Sequence, residues 1–459
     1  MPFSPSIAGV FLLSLVYWLY LSVTVHMAIV FDSINYVALG KMLYAHGWID
    51  YFKTGPNREP LYPLLIALSM HIEHFTGLAY VKIIALFGVM ILLLTQILTY
   101  KILRLLNIRH GICTAVLLYM ALSPALNNTA FSLFSEIATY PFLLMIVLTS
   151  FYAWEAIKQE KRLAALTYGV LLGISLALIT LIKGIFEGIA PVYLIILFSA
   201  IFFTDKQIIT KKLIPFSLCL AAAVILFFSP ISGFKWLNWN YNGNFVVTSR
   251  GTCLIYGNTA RRMEPLTFKK FSEALAYVPG EGVCNSIFGA KECDFWSFYK
   301  SDELGHAQED ELSRQHLSAD KINNTLMNLS VQKVLHNPAQ YILLAGIEGL
   351  EMFFWESTQI GFVDYPHWLS KIYNVKIFNA GLRFIVSLMS LIAVMSLWLQ
   401  ALTPQRSPLG FLIGVLIFIY ILFYSLVSIL TRYALPIAPL FLIAIGIWLN
   451  QILSPKKIN

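Results

Sequence analysis

A sparse set of charged side chains stands at the ends of apolar runs: Asp32, Arg58, Glu59, Glu136, Lys183, Glu187 and Arg432. Carboxylates and cations beside hydrocarbon need partners or a task, because desolvating them is costly. Together these types suit a reaction on a lipid phosphate. Cations hold a phosphate leaving group while a carboxylate removes a proton from an attacking hydroxyl. Asp32 opens the first such stretch, Phe31-Asp32-Ser33-Ile34-Asn35-Tyr36-Val37-Ala38-Leu39-Gly40-Lys41-Met42-Leu43, just where a long apolar run ends. The same loop closes with Gly55-Pro56-Asn57-Arg58-Glu59-Pro60-Leu61-Tyr62-Pro63-Leu64-Leu65, in which prolines bracket the Arg58-Glu59 pair. Plainer uses exist. Asp32 is placed to cap a helix starting at Ser33, and each cation is placed to anchor a span by snorkelling. The set argues more strongly than any member.

The elements that must position these residues follow from composition. Of 459 residues, 58% are hydrophobic and 12% charged, and the mean hydropathy is +0.71. Soluble domains carry about twice that charge, and the apolar runs approach the ~20 residues that cross a bilayer. The fold class is therefore an all-α polytopic membrane protein. Ten spans are expected: Ile7–Val30, Tyr80–Leu103, Ile112–Leu126, Ile137–Trp154, Ala164–Ile182, Ile185–Phe203, Leu213–Ile231, Phe378–Leu399, Leu409–Leu426 and Tyr433–Leu449. The first has no basic leader and a long apolar run, which reads as a retained span rather than a cleaved signal. Ser33–Ala45 is amphipathic. Pro60–Phe75 is apolar but short, and Tyr341–Trp355 is interrupted by Glu348 and Glu351 at helical spacing. Both read as interfacial helices. The chain then divides into an N-terminal membrane module with the first loop (1–232), an extracytoplasmic loop domain (233–376) and closing helices (377–459).

Charge placement tests this topology. With ten spans, Lys101/Arg104/Arg109, Lys158/Lys161/Arg162, Lys206/Lys211/Lys212, Arg406 and Lys456/Lys457 all fall on one side. The positive-inside rule makes that side cytoplasmic. The Asp32 loop, residues 123–135, Lys183, the long polar segment and Arg432 then share the outer face. The net charge of +8 belongs to short loops that meet anionic lipid, so it is no nucleic-acid footprint. Neither a P-loop nor a glycine-rich dinucleotide fingerprint is present, which leaves a nucleotide donor unsupported.

The remaining signals are weaker. Cys113 and Cys219 lie in apolar runs as packing residues, whereas Cys284 and Cys293 could pair if their segment faces an oxidising compartment. His71-Ile72-Glu73-His74 offers metal-ligating types, but its geometry is poor and no third ligand is indicated, so no metal site is assigned. Asn127, Asn323 and Asn328 fit the glycosylation sequon, a pattern common by chance.

Four stretches resemble the GT-C superfamily of integral-membrane glycosyltransferases, which includes the protein O-mannosyltransferases and the aminoarabinose transferase of lipid A. They are Asp32 with Tyr36 and Ala38; Arg58-Glu59-Pro60-Leu61-Tyr62-Pro63-Leu64; Trp239 to Val246 leading to Ser249-Arg250-Gly251 and Tyr256-Gly257-Asn258; and Arg432-Tyr433 with Pro436 and Pro439. His336-Asn337-Pro338 before an apolar helix is also similar. The resemblance implies a polyprenyl-phosphate sugar donor and Asp32 as catalytic base. It implies Arg58, Lys183, Arg432 and Arg250 as holders of the donor phosphate, and Glu136 or Glu59 as organisers of the acceptor or of a divalent metal. Tyr36, Tyr62, Tyr433 and Asn258 would line the donor and acceptor pocket. The implied reaction is inverting transfer of a monosaccharide to a hydroxyl of an envelope glycan, lipid or protein, on the periplasmic face of a bacterial inner membrane. The chain departs from its relatives in two places: Ser33 follows Asp32 where some carry an acidic pair, and Glu59 stands where the lipid A branch tends to carry Lys. Two other readings share the many spans. A lipid-linked glycan flippase would show inverted repeats and mid-membrane breaks, and an oligosaccharide ligase would use a polyprenyl diphosphate.

Overall fold

The computed structural model describes residues 4–55, 58–204, 211–248, 251–356, 362–403 and 407–453, apart from the side chains of Ala319 and Asp320. Helix makes up 84% of the structure. Among the described residues nine helices are long and apolar enough to cross a membrane, or ten if one bent pair counts as a span. The chain is an all-α polytopic membrane protein. It folds as two units: Met1–Val247 with Glu356–Ile419 and Leu435–Asn459, and Thr248–Trp355 with Tyr420–Ala434.

The first unit begins with α1 (Pro5–Thr24), started by a proline at its first position, where no amide hydrogen is needed. It stops short of the expected Val30. His26–Met27 instead forms β1, which pairs antiparallel with β2 (Val363–Asp364), His26 opposite Asp364. Phe31, at φ 51, then turns the chain into α2 (Asp32–Lys53), longer than the expected Ser33–Ala45 and kinked at Gly47, φ 76. Next is α3 (Leu61–Thr76), closed by Gly77 in the left-handed region. A Cβ on Gly40 would come within 2.6 Å of Ile66, so glycine is what lets α2 lie directly on α3.

α4 (Tyr80–Leu105) is a long span. The expected third span is broken: α5 (His110–Leu122) and α6 (Pro124–Ala130) meet at 53°. The cause is local. Pro124 has no amide hydrogen to continue α5, and the Ser123 hydroxyl accepts from the Leu126 amide to start a new helix. Then come α7 (Glu136–Lys158), α8 (Arg162–Ile182) and α9 (Phe186–Thr204). α10 (Leu213–Asn242) continues beyond Ile231 to a left-handed Gly243. Trp236 and Trp239, expected in the polar segment, are therefore exposed residues of this helix. α8 packs between α7 and α10. Cβ atoms on Gly169 and Gly173 would meet the Cys219 and Ala223 carbonyls at 2.5 and 2.6 Å, the close approach a small-xxx-small pair permits between membrane helices.

The second unit holds α11 (Gly251–Arg262), α12 (Phe268–Tyr277), α13 (Glu281–Phe288), α14 (Ala290–Asp294), α15 (Phe298–Arg314), α16 (Ala319–His336) and α17 (Pro338–Gly349). Its core clusters are Ala274, Val278, Trp296, Leu344 and Ile347, and Cys253, Tyr256, Leu312, Ile322 and Leu326. The Cys284–Cys293 disulfide joins α13 to α14. The expected helix Tyr341–Trp355 is shorter, giving way to a 3₁₀ turn at Leu350–Phe353. α18 (His367–Tyr373), α19 (Lys376–Ala401), α20 (Pro408–Val427) and α21 (Ala438–Leu453) follow. The boundary between units falls inside α20, and a 3₁₀ segment at Thr431–Ile437 precedes α21.

The two ends of the first unit differ in chemistry. At one, Lys82 donates to the Val23 and Val25 carbonyls at the end of α1. At the other, Arg109 donates to the Leu453 carbonyl at 2.7 Å and its amide to Asn450 Oδ1 at 3.1 Å.

Candidate functional site

The first-loop residues and the α8–α9 turn converge within the first unit. Asp32 is the first residue of α2, behind Phe31 as cap. The Asp32 carboxylate accepts from Arg58 Nη2 at 2.5 Å, whereas Ser33 Oγ closes the local turn on Val30. The Arg58 guanidinium also lies over the Tyr36 ring, 5.5 Å from its centroid. Its carbonyl accepts from the Tyr51 hydroxyl at 3.2 Å. The Arg58 end of the first loop is thus held over the start of α2.

A second ion pair stands beside the first. Glu136, the first residue of α7, accepts from Lys183 Nζ at 2.8 Å. Lys183 ends α8 in extended backbone. The next amide, that of Gly184, donates to Glu59 Oε1 at 2.6 Å. Farther along the same turn, Glu187 accepts from Lys235 at 2.7 Å.

Tyr36 links the two pairs. Its hydroxyl shares a hydrogen bond with Ser135 Oγ at 3.0 Å, one residue before Glu136. Its ring meets Tyr62 edge to face at 5.1 Å. Burial pushes its phenol well up from the ordinary value, and the Glu59 carboxylate adds to this, with Lys183 and Arg58 pulling the other way. Tyr62 is raised in the same sense, by burial first and then by Tyr36 and Glu136. Both phenols are therefore neutral at physiological pH. Beneath them, Tyr36, Val37, Tyr62, Ile66, Met70, Ile84 and Leu133 form one apolar cluster.

Asp32, Arg58, Glu59, Glu136, Lys183, Tyr36 and Tyr62 are brought together in this way. The side chains of Asp32 (22%), Arg58 (12%) and Lys183 (13%) remain partly exposed, while Glu136 is buried. Such a group can bind an anion through its cations and present a carboxylate to a proton donor.

The other expected residues belong to the second unit or fall outside the described residues. Arg432, Tyr433 and Asn258 belong to the second unit. Tyr433 packs against Phe298 and Tyr424, and Arg432 lies near its ring. Asn258 is buried, donating to the Val427 carbonyl at 3.0 Å and accepting from Arg261 at 2.7 Å. The first of these bonds ties α11 to α20. Arg250 lies outside the described residues.

The weaker sequence signals fall as follows. Asn127 is fully buried and accepts from Trp18 Nε1 at 3.0 Å, which bars a glycan there. Asn323 accepts from Thr252, and Asn328 is exposed. His71 packs on Tyr44 and His74 on Phe75. Neither belongs to a three-ligand group among the described residues.

Two further polar groups are not among the expected site residues. Glu356 is fully buried where α5 breaks, accepting from Tyr119 at 2.5 Å, Ser123 at 2.7 Å and the Ala125 amide at 3.0 Å. In the second unit, Glu348 accepts from Arg261 and Arg262 at 2.8 and 2.7 Å. Burial alone would raise the Glu348 carboxyl, but the two guanidiniums outweigh it and hold the group below its ordinary value. Only the Arg261-Arg262 doublet and the acidic interruption at Glu348 hinted at this second group; nothing linked them across 86 positions.

No protein-family model matches the chain, and no curated protein is significantly similar to it.

Proposed function

We propose that the protein is an inverting glycosyltransferase that moves a monosaccharide from a polyprenyl-phosphate carrier to a hydroxyl of an envelope glycan, lipid or protein. The observation that carries this is the pairing of Asp32 with Arg58 beside Lys183 and Glu136, partly exposed at one end of a membrane bundle. A phosphate competes with a carboxylate for the same cation. A donor phosphate seated on Arg58 and Lys183 would release Asp32 to act as a base.

The chemistry then balances. The acceptor oxygen attacks the anomeric carbon, its proton passes to Asp32, the bond from that carbon to the phosphate oxygen breaks, and polyprenyl phosphate leaves on the two cations. Glu136 or Glu59 would orient the acceptor, or would hold a divalent metal that helps to neutralise the phosphate. An apolar cavity of ≈ 470 Å³ between α9 and α10, lined by Leu194, Phe198, Phe202, Phe216, Leu220 and Phe228, supports the lipid part of the reading. It offers room for part of an isoprenoid chain.

Location is part of the same proposal. Arg104 in the last turn of α4 and Arg109 at the start of α5 make the loop between them basic, and the positive-inside rule applied to that loop supports a site that faces the periplasm of a bacterial inner membrane.

The test is transfer of radiolabelled sugar from a panel of synthetic polyprenyl-phosphate monosaccharides by the purified full chain, with crude envelope acceptors, with and without chelator. Turnover with one donor supports the proposal and names the sugar. No turnover with any donor, together with transfer from a polyprenyl diphosphate glycan or with lipid flipping in vesicles, overturns it.

A further inference from the structure

In the second unit, two glycines bring α11 and α15 into backbone contact. A Cβ on Gly257 would lie 1.9 Å from the Ser301 carbonyl oxygen, and one on Gly305 would lie 2.5 Å from the Cys253 carbonyl and 2.9 Å from its Sγ. The approach sets the Cys253 thiol directly over α15, beside the next residue, His306. Cys253 Sγ is 3.6 Å from His306 Nδ1, and that nitrogen is 3.1 Å from Glu309 Oε2. All three ligand atoms lie within 4.8 Å of one another. On the far side of the ring, Asp302 Oδ1 faces Nε2 at 3.6 Å.

From this geometry we infer that Cys253, His306 and Glu309 form a zinc site that clips α11 to α15. Tetrahedral Zn²⁺, bonded at ~2.3 Å to sulfur and ~2.0–2.1 Å to nitrogen and oxygen, has S···N and N···O edges of about 3.6 and 3.4 Å. The Sγ···Nδ1 and Nδ1···Oε2 separations of 3.6 and 3.1 Å match these to within a few tenths of an ångström, and the Glu309 carboxylate lies within 4.8 Å of the thiol to close the third edge. The donor set, one thiolate, one imidazole and one carboxylate, suits borderline-soft Zn²⁺ rather than Mg²⁺ or Ca²⁺, which take oxygen ligands.

The surroundings are those a bound metal uses. Asp302, His306 and Glu309 repeat along one face of α15, so the Asp302 carboxylate, 3.6 Å from Nε2, favours the tautomer that keeps its proton on Nε2 and leaves the Nδ1 lone pair to the metal. Cys253 is buried in the cluster with Tyr256, Leu312 and Leu326, whereas His306 and Glu309 are about half exposed. The fourth position therefore opens to solvent. Cys284 and Cys293 of the same unit are already joined to each other, so neither is available to oxidise onto Cys253 in an intact chain.

The competing explanation is a packed thiol beside a surface His–Glu pair, and the two differ in what they bind. The full-length chain in detergent, stripped with chelator, would be titrated with Co²⁺ alone and then with Zn²⁺ alone. The expected result is one equivalent of Co²⁺ with an intense thiolate-to-cobalt absorption band that Zn²⁺ removes, and loss of the band in Cys253→Ser. Should that variant fail to fold, Asp302→Asn changes no ligand and must still weaken Co²⁺ binding about 10–100-fold. Absence of the band in the unaltered chain, its persistence in a folded Cys253→Ser, or unchanged affinity in Asp302→Asn would each overturn the inference. None of these readings depends on glycosyl transfer.

Discussion

Both units bury charge, and they do so in opposite ways. In the second unit one carboxylate, Glu348, takes two guanidiniums that are almost wholly removed from solvent. The Arg261 guanidinium also meets the Trp296 ring, and that of Arg262 the Tyr341 ring. Arg261 further donates to Asn258 and to the Trp296 carbonyl. In the first unit the cations Arg58 and Lys183 each face a carboxylate, and part of each side chain stays accessible. Charge locked between helices on ring faces and backbone carbonyls resists any outside ligand, because removing a partner leaves an uncompensated ion in a low dielectric. Charge paired at a rim that solvent reaches exchanges its partner for a ligand more readily than charge sealed between helices. The difference separates a structural anchor from a binding site, although both look like salt bridges.

The sharpest way to break this comparison is Asp32→Asn. Loss of a general base is expected to lower transfer by about 10²–10⁴-fold, while the thermal unfolding of the purified chain shifts little. Transfer at the wild-type rate would remove Asp32 from the chemistry. Glu348→Ala should show the reverse pattern, with folding lost first. Two buried guanidiniums left without their carboxylate cost about 3–5 kcal/mol, read as a fall in the unfolding midpoint or as failure to accumulate. If Glu348→Ala melts like the wild type and only transfer falls, the assignment of anchor and site has to be exchanged.

How far the sequence reaches depends on the range of the signal. Hydropathy is local, and the spans it indicates at Tyr80, Ala164 and Leu213 are helices in the structure. It misplaces ends where a local rule competes. Pro124 and Ser123 break the third span, and the end of α1 at Thr24 lets His26–Met27 pair with a strand more than 300 positions away. The site shows the same division. That Asp32, Glu136 and Lys183 stand at span ends is legible from each residue alone. That Glu136 meets Lys183 across 47 positions, or Glu59 the Gly184 amide across 125, is tertiary. Glu356 carried no marker because its partners, Tyr119, Ser123 and a backbone amide, become partners only once α5 breaks.

The Lys183–Glu136 pair offers a test of intermediate size, since it combines a rim cation with a buried carboxylate. Lys183→Gln should cost about 10²–10³-fold in transfer, the scale of removing one donor that stabilises developing charge, and should also destabilise the chain by orphaning Glu136. The double change Lys183→Gln with Glu136→Gln removes the orphan. Folding should return while transfer stays low. Recovery of transfer along with folding would make the pair a strut like Glu348 with its arginines.

The smallest expected effect is that of Tyr36→Phe, and its pH dependence separates packing from charge. At neutral pH the change removes the hydrogen bond to Ser135 and should cost about 0.5–1.5 kcal/mol. The unfolded phenol ionises near its ordinary value of 10.0, whereas burial and Glu59 keep the folded one protonated to higher pH. Above pH 10 the unfolded state thus binds fewer protons than the folded state, and stability falls with rising pH, by up to about 1.4 kcal/mol per pH unit for each such group. The contribution is complete below that value and is lost as pH climbs toward the folded one. The phenylalanine variant has no proton to lose at this position, so its alkaline decline must be shallower, although Tyr51 and Tyr62, both raised by burial, continue to contribute. Melting curves of the two proteins should therefore converge above pH 10. Curves that stay parallel from pH 7 to pH 11 would mean that the Tyr36 phenol ionises alike in both states, and that the two ion pairs are not linked through a buried neutral phenol.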